Sequence, residues 1–382
     1  MFSCMATQKT TTSTNLIIII TLFLALIVVV TRVRAQDEPV HVPKGPNNSV
    51  SAIFVFGDST SDPGNNNYIR TPFKSNFAPY GRDFPNHVPT GRFTNGLLST
   101  DYIARYVGVK DIVPAYLNGS LSVEELMSGV SFASAGSGFD PLTPRLSGVI
   151  PLSRQLDYFK EYRTRIAAII GEEKTNELIS KSVFIVSAGT NDFVVNYYTM
   201  LIRRRIYSVL QYQKFLVQNV RGFIKSLWDQ GGRKIAVAGL PPMGCLPVVI
   251  TMNANKSISN RSCIESLSAV ARDYNKLLQN ELISLQLDLA DNATKIVYID
   301  IYSILDDIIQ GNQSPSTYGF EDVSSGCCGT GYLEAAYLCN TASYVCADAS
   351  KYVFWDSIHP TQMTYYLLFK DVRPVIDFVI KD

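Results

Sequence analysis

Acyl transfer through a serine requires a hydroxyl, a base to deprotonate it and a group that orients the base. The base is narrowed by scarcity, because the 382 residues include only three histidines, His41, His87 and His359. His41 falls in a polar lead and His87 in a proline-rich stretch. His359 stands in Trp355-Asp356-Ser357-Ile358-His359-Pro360-Thr361, with a carboxylate three residues before it. Over one turn of backbone that carboxylate reaches the ring and fixes its tautomer, leaving the second nitrogen to face a hydroxyl. The hydroxyl on offer is Ser59, in SAIFVFGDSTSDPGNNN, where the apolar run 52–56 is followed by Gly57, Asp58 and turn residues. Such a run reads as a buried strand, and ligands of open α/β sheets sit at the carboxyl edge. Read alone, a Gly-Asp-Ser tripeptide is a helix cap or a turn.

Two more loops follow strand-like runs in the same way. Residues 129–133, GVSFA, lead into Ser134-Ala135-Gly136-Ser137-Gly138, and residues 183–187 lead into Ala188-Gly189-Thr190-Asn191-Asp192. If these strands are neighbours, the backbone N–H groups of Ser59 and Gly136 and the side-chain amide of Asn191 supply three donors for the oxyanion that an ester carbonyl becomes under attack. Outside that context Gly136 is a turn glycine and Asn191 a helix cap.

The extended pattern G-D-S-x-x-D-x-G-N-N, with GVSFASAG, GTND and D-x-x-H-P-T in that order, resembles the GDSL-type esterase/lipase family, or SGNH hydrolases, in its secreted plant branch. Arg92-Phe-Thr-Asn-Gly96 matches that branch as well. The resemblance covers the chain beyond its N-terminal segment and implies a flavodoxin-like three-layer α/β/α fold whose five-stranded parallel sheet has the order 2-1-3-4-5. It implies Ser59 as nucleophile, Asp356 and His359 as the acid and base pair, and Ser59, Gly136 and Asn191 as the oxyanion hole. No metal and no organic cofactor is implied. Thr60 stands where the family name has leucine, which is expected to touch packing behind the nucleophile, and Ser131 where the plant branch usually has asparagine.

The expected activity is that of a secreted serine hydrolase cleaving lipid or small acyl esters through an acyl-enzyme on Ser59. Two rivals use the same sequence: an acyltransferase in which another alcohol replaces water, and a non-catalytic cell-wall or lipid-binding glycoprotein on the same scaffold. The intact set of five site residues speaks against the second.

Lys and Arg number 34 against 33 Asp and Glu, and 46% of residues are hydrophobic. This balance predicts a large globular core and gives nucleic-acid binding no electrostatic support. Residues 16–30 are almost unbroken in apolarity, Lys9 precedes them, and Val33-Arg34-Ala35 ends them with small residues suited to a signal peptidase. The stretch is shorter than the roughly 20 residues that span a bilayer. The expected organisation is a signal peptide over 1–35, a flexible lead over 36–50 and one hydrolase domain over 51–382, exported with no stable membrane span and placed in the cell wall or apoplast if the source is a plant. Oligomeric state is not readable.

Cys4 leaves with the signal, and Cys245, Cys263, Cys327, Cys328, Cys339 and Cys346 form an even set suited to three disulfides in an oxidising compartment. Adjacent Cys327 and Cys328 are poorly placed to bond each other, so they reach towards Cys339 and Cys346 or beyond. A zinc knot is disfavoured, with no histidine nearby and no paired C-x-x-C. Sequons at Asn47, Asn118, Asn255, Asn260, Asn292 and Asn312 fit a glycoprotein, although Pro315 follows the last closely.

Strands are expected over 52–56, 129–133, 183–187, 234–238 and 296–301, and helices over 101–107, 155–170, 175–181, 207–228, 263–289 (serine-capped), 304–309 and 362–380. Residues 68–96 and 239–247 read as irregular, being rich in proline and glycine. Phe193, Tyr197 and Tyr198 are core residues or the wall of an acyl cleft. Strands alternating with helices argue a doubly wound parallel sheet.

Overall fold

Strand side chains alternate between the two faces of a sheet, and in β1 (Ile53–Gly57) both faces are apolar and fully buried. A sheet built on such a strand must be covered on both sides. The computed structural model describes residues 45, 50–253, 261–289, 293–310 and 318–381. β1 pairs in parallel with β2 (Val183–Ser187), β2 with β3 (Lys234–Ala238), and β3 with β4 (Lys295–Ile299). One face carries Phe54, Phe56, Phe184, Val186, Ile235, Val237 and Ile296, which pack with residues of helices Leu152–Ile170, Val209–Asp229 and Glu265–Asp288. The C-terminal helix Gln362–Ile380 packs on β3, β4 and helix Ser99–Tyr106. This is the three-layer α/β/α architecture expected.

Among the described residues the expected five-stranded sheet is four-stranded, in the order β1-β2-β3-β4. The run 129–133 does lie along the free edge of β1: Val55 N–H donates to Val130 O at 3.1 Å and Phe132 N–H to Val55 O at 2.7 Å. Ile53 N–H also donates to Ser128 O at 3.3 Å and Ser134 N–H to Gly57 O at 3.0 Å, yet the regular pairing is confined to one parallel bridge, at Ser131. Gly129, at φ +98°, breaks the extended run at its start. Its position nevertheless puts the segments in the order 2-1-3-4-5.

Helix 362–380 has the expected bounds. The helix expected over 263–289 runs Glu265–Asp288 with Ile264 at its cap and no capping side chain, so the serine cap does not form. Helix Ile301–Gln310 starts three residues earlier than expected, because Asp300 accepts from Ser303 N at 3.0 Å and caps it. Short helices Val123–Met127, Leu142–Ser147 and Pro247–Asn253 were not legible, nor was the small parallel sheet of β5 (Asp322–Gly326) and β6 (Tyr352–Phe354).

The disulfides are Cys245–Cys263, Cys327–Cys346 and Cys328–Cys339. The proposed signal and nearly all of the lead fall outside the described residues, as do His41 and every sequon but Asn118. No helix among the described residues is long and apolar enough to cross a membrane.

Candidate active site

Gly57 ends β1 with φ +138°, and a Cβ there would lie 1.9 Å from Ser187 O. Only glycine lets the chain leave the strand against its neighbour at this angle. The corner that follows is held by Asp58, whose Oδ1 accepts from Thr60 N at 3.0 Å and Thr60 Oγ1 at 2.9 Å. Thr60 Oγ1 also lies 3.0 Å from Ser187 Oγ. Thr60 thus ties the corner to β2 through hydrogen bonds that a leucine lacks, a polar role beyond the packing expected. Burial pushes the Asp58 carboxyl up to about 6, against the lowering effect of the Thr60 bonds.

Ser59 is presented on this corner, nearly buried, with Oγ 2.8 Å from His359 Nε2. His359 Nδ1 lies 2.7 Å from Asp356 Oδ2 and 2.9 Å from Oδ1. Asp356 Oδ1 accepts from the backbone N–H groups of Ile358 and His359, both at 2.8 Å, so the D-x-x-H turn closes on its own carboxylate. Phe93 packs its ring 4.9 Å from the imidazole. A carboxylate fully out of water needs donors on both oxygens. The fourth comes from Tyr80, whose hydroxyl donates to Asp356 Oδ2 at 2.7 Å and accepts from Ala336 N at 2.9 Å. Burial and the facing carboxylate push the Tyr80 phenol well above its ordinary value, so it stays a donor.

The three loops are stitched together by carboxylates and amides. Asp62 Oδ2 accepts from Ala135 N at 3.0 Å, and its Oδ1 from Gly64 and Asn65 N, which joins the Ser59 loop to the Gly136 loop. Asn191 Nδ2 donates to Ser137 O at 2.9 Å. Next to it, Asp192 accepts from Phe139 N at 2.8 Å and Asp140 N at 3.1 Å. Burial pushes the Asp192 carboxyl up to about 7. Asn191 precedes the π-helix Asp192–Thr199 without capping it through its side chain, so its amide is directed to the Gly136 loop instead. Gly136 has φ +86°, a conformation costly for any other residue. Among the described residues, the N–H groups of Ser59 and Gly136 have no hydrogen-bond partner, and the Asn191 amide has one hydrogen to spare. Ser131 sends its hydroxyl to Ser61 O at 2.8 Å, holding the loop base where the plant branch usually has asparagine.

Of the sequence candidates, Ser59, His359 and Asp356 come into mutual contact, while exposed His87 turns its ring to Arg82 O and takes no part. Tyr80, Asp62 and Asp192 escaped sequence reasoning. Asp62 lay inside the quoted motif and Asp192 inside GTND, so their positions were visible and only their bonds were not. Nothing in the spacing pointed to Tyr80.

A family model for the GDSL-like lipase/acylhydrolase matches residues 53–372. GDSL esterase/lipase At5g45960 of Arabidopsis thaliana is 54% identical over 332 residues, covering 87% of this chain and 88% of its own. GDSL esterase/lipase At1g06990 of the same plant is 45% identical over 317 residues, covering 83% and 86%. A solved lipase, Lip_vut3 from a goat rumen metagenome, aligns at 13% identity over 85% of this chain and 97% of its own with a TM-score of 0.38, too distant to bear on the site. The chain belongs to the GDSL-like lipase/acylhydrolase family and is a serine hydrolase of carboxylic esters.

Proposed function

We propose that Ser59 is the nucleophile, His359 the general base and acid, Asp356 the group that orients it, and the Ser59 and Gly136 N–H groups with the Asn191 amide the oxyanion hole. The observation that carries this reading is the unbroken relay from Ser59 Oγ through His359 to Asp356 at 2.8 and 2.7 Å. His359 Nε2 takes the Ser59 proton as Oγ attacks the ester carbonyl, and the oxyanion is met by the three donors. Collapse expels the alcohol, which receives the proton from His359, and leaves an acyl group on Ser59. Water, deprotonated by His359, then attacks the acyl-enzyme and restores the serine. Each step uses side chains, backbone and water only.

The protein is exported, with 1–35 removed as a signal peptide, 36–50 a lead and 51–382 the hydrolase domain. Three disulfides support an oxidising compartment. The test of the site is Ser59→Ala, which abolishes ester turnover with an unchanged melting curve, paired with mapping of a reactive organophosphonate on the unsubstituted protein. Labelling of any residue other than Ser59 overturns the assignment.

A further inference from the structure

Behind Ser59 lies an apolar cavity on the sheet face opposite the aromatic core. Its walls are Ile185 of β2, Ala238 of β3, Ile299 of β4, and Leu368 and Val372 of helix 362–380, with Leu305 beside them. The cause is legible in β3: Ile235 and Val237 fill the core side, while Ala236 and Ala238 face the other and leave room beneath the C-terminal helix. We propose that this cavity holds the acyl chain of a medium-chain ester, of about eight to eleven carbons, while its carbonyl is at Ser59; the proposal rests on Ser59 being the nucleophile.

Three observations carry it. The cavity reaches the chemistry, since Ser59 and Asn191 line it. Ile358 and Pro360 also contribute to its wall, but the ring of His359 between them does not. The leaving alcohol must lie against His359 Nε2 to receive its proton, which leaves the cavity to the acyl side.

The second observation is size. The cavity runs from the exit of β1 across β2 and β3 to β4, three strand spacings or about 14 Å. A zigzag chain advances about 1.25 Å per carbon at ordinary bond lengths and angles, giving roughly eleven carbons. Independently, the volume is about 110 Å³. At about 10–15 Å³ for each water-sized group, and a methylene is about that size, the cavity seats roughly seven to eleven.

The third is an unmet polar group. Tyr365 is almost fully buried, lines the cavity, and its hydroxyl has no hydrogen-bond partner among the described residues. Burial, with the carboxylates of Asp58 and Asp356, pushes the Tyr365 phenol well above its ordinary value, so it stays a proton donor. The lining is aliphatic at Ile185, Ala238, Ile299, Leu305, Leu368 and Val372. A polar atom left open in a native core is expected where a ligand or a water completes the site.

The experiment measures kcat/KM of the full mature protein on p-nitrophenyl esters of acetate, butyrate, octanoate, decanoate and palmitate. Each buried methylene contributes up to about fourfold, so decanoate should exceed acetate by at least about 100-fold and palmitate should fall back. Ala238→Leu, which fills the cavity two strands from Ser59, should lower the decanoate-to-acetate ratio at least about tenfold. If that variant does not fold, Leu305→Ala decides instead by moving the optimum two or three carbons longer. A flat profile, an optimum at acetate, or ratios unmoved by the decisive variant overturns the proposal while the enzyme remains active. Absence of turnover on every ester, or labelling away from Ser59, is instead the failure of the catalytic assignment.

Discussion

Asp356→Asn changes one atom and should remove most of the activity, for a reason that the hydrogen bonds at this residue dictate. Oδ1 accepts from two backbone N–H groups, those of Ile358 and His359, both at 2.8 Å. An asparagine that turned its NH2 towards them would lose both bonds and face donor to donor, so its oxygen must keep this place. The NH2 then occupies the position of Oδ2, facing Tyr80 and His359 Nδ1. Tyr80 adapts by turning its hydroxyl to accept. The NH2 faces Nδ1 at the shorter distance, 2.7 Å against 2.9 Å to the retained oxygen, which already accepts two N–H groups, so the imidazole adapts by moving its proton to Nε2, leaving a lone pair on Nδ1 for the new donor. With the proton on Nε2, it has no lone pair for Ser59. The expected loss in kcat/KM is on the order of 10⁴, the scale such a change has in a serine triad, or about 5 kcal/mol of barrier. The unfolding free energy should fall by only about 1–2 kcal/mol, since one rearranged polar contact is at stake. Steady-state hydrolysis of p-nitrophenyl butyrate and a urea titration on the same preparation measure both. A folded variant that keeps a tenth or more of the wild-type kcat/KM refutes the argument from fixed amide orientation.

Three other outcomes are expected. Tyr80→Phe deprives Asp356 of a donor and leaves Ala336 N–H unpaired, so kcat should fall about tenfold and stability by about 1–3 kcal/mol; wild-type kcat with a shifted melting curve would leave Tyr80 a purely structural group. Asp58→Asn keeps an acceptor for Thr60 but cannot titrate: the raised carboxyl of Asp58 stabilises the fold below pH 4 and that contribution is lost as pH rises through about 6, so the variant should gain roughly 2.5 kcal/mol relative to wild type between pH 4 and pH 8, and a pH-independent difference in urea stability would contradict this. The mature protein should show no free thiol when denatured without reductant, and reduction should cost about 2–5 kcal/mol per bridge; two or more titratable thiols per chain would break the pairing seen at Cys245–Cys263, Cys327–Cys346 and Cys328–Cys339.

The proposed catalytic residues were legible because chemistry had left little choice: one histidine in a D-x-x-H turn, and one serine on a corner that glycine alone can make. The strands were legible because parallel strands covered on both faces read as short continuous apolar runs, as IFVFG and VFIVS do. The same property made 129–133 look like a full strand. Its hydrophobicity was read correctly, but how many of its residues pair is set by the turns around it. Groups acting through one bond across great sequence distance were not legible. Tyr80 and Asp356 are 276 residues apart, and no period or spacing connects them.

The aromatic residues after Asn191 show why a cavity is harder to read than a core. Phe193 and Tyr197 are buried, with Phe193 set edge-on against Tyr212 and Tyr274 and Tyr197 stacked on Tyr212. They are core residues, and the alternative of an aromatic acyl cleft at these positions does not hold, since neither they nor Tyr198 line the space beside Ser59. That space exists because of what β3 lacks. In KIAVA the two alanines pass as ordinary strand residues, and the sequence does not say which helix covers them or how far above them it rests. A core announces itself by large apolar side chains at regular spacing, whereas a cavity is a difference between the volume that the backbone encloses and the volume that the side chains fill. Sequence lists only the second. The chain-length preference of this esterase is therefore written in Ala238, Ile299, Leu305 and Val372, which no motif marks, and replacing a small wall residue by a larger one should shorten the preferred acyl chain without any change to the serine, the histidine or the oxyanion donors.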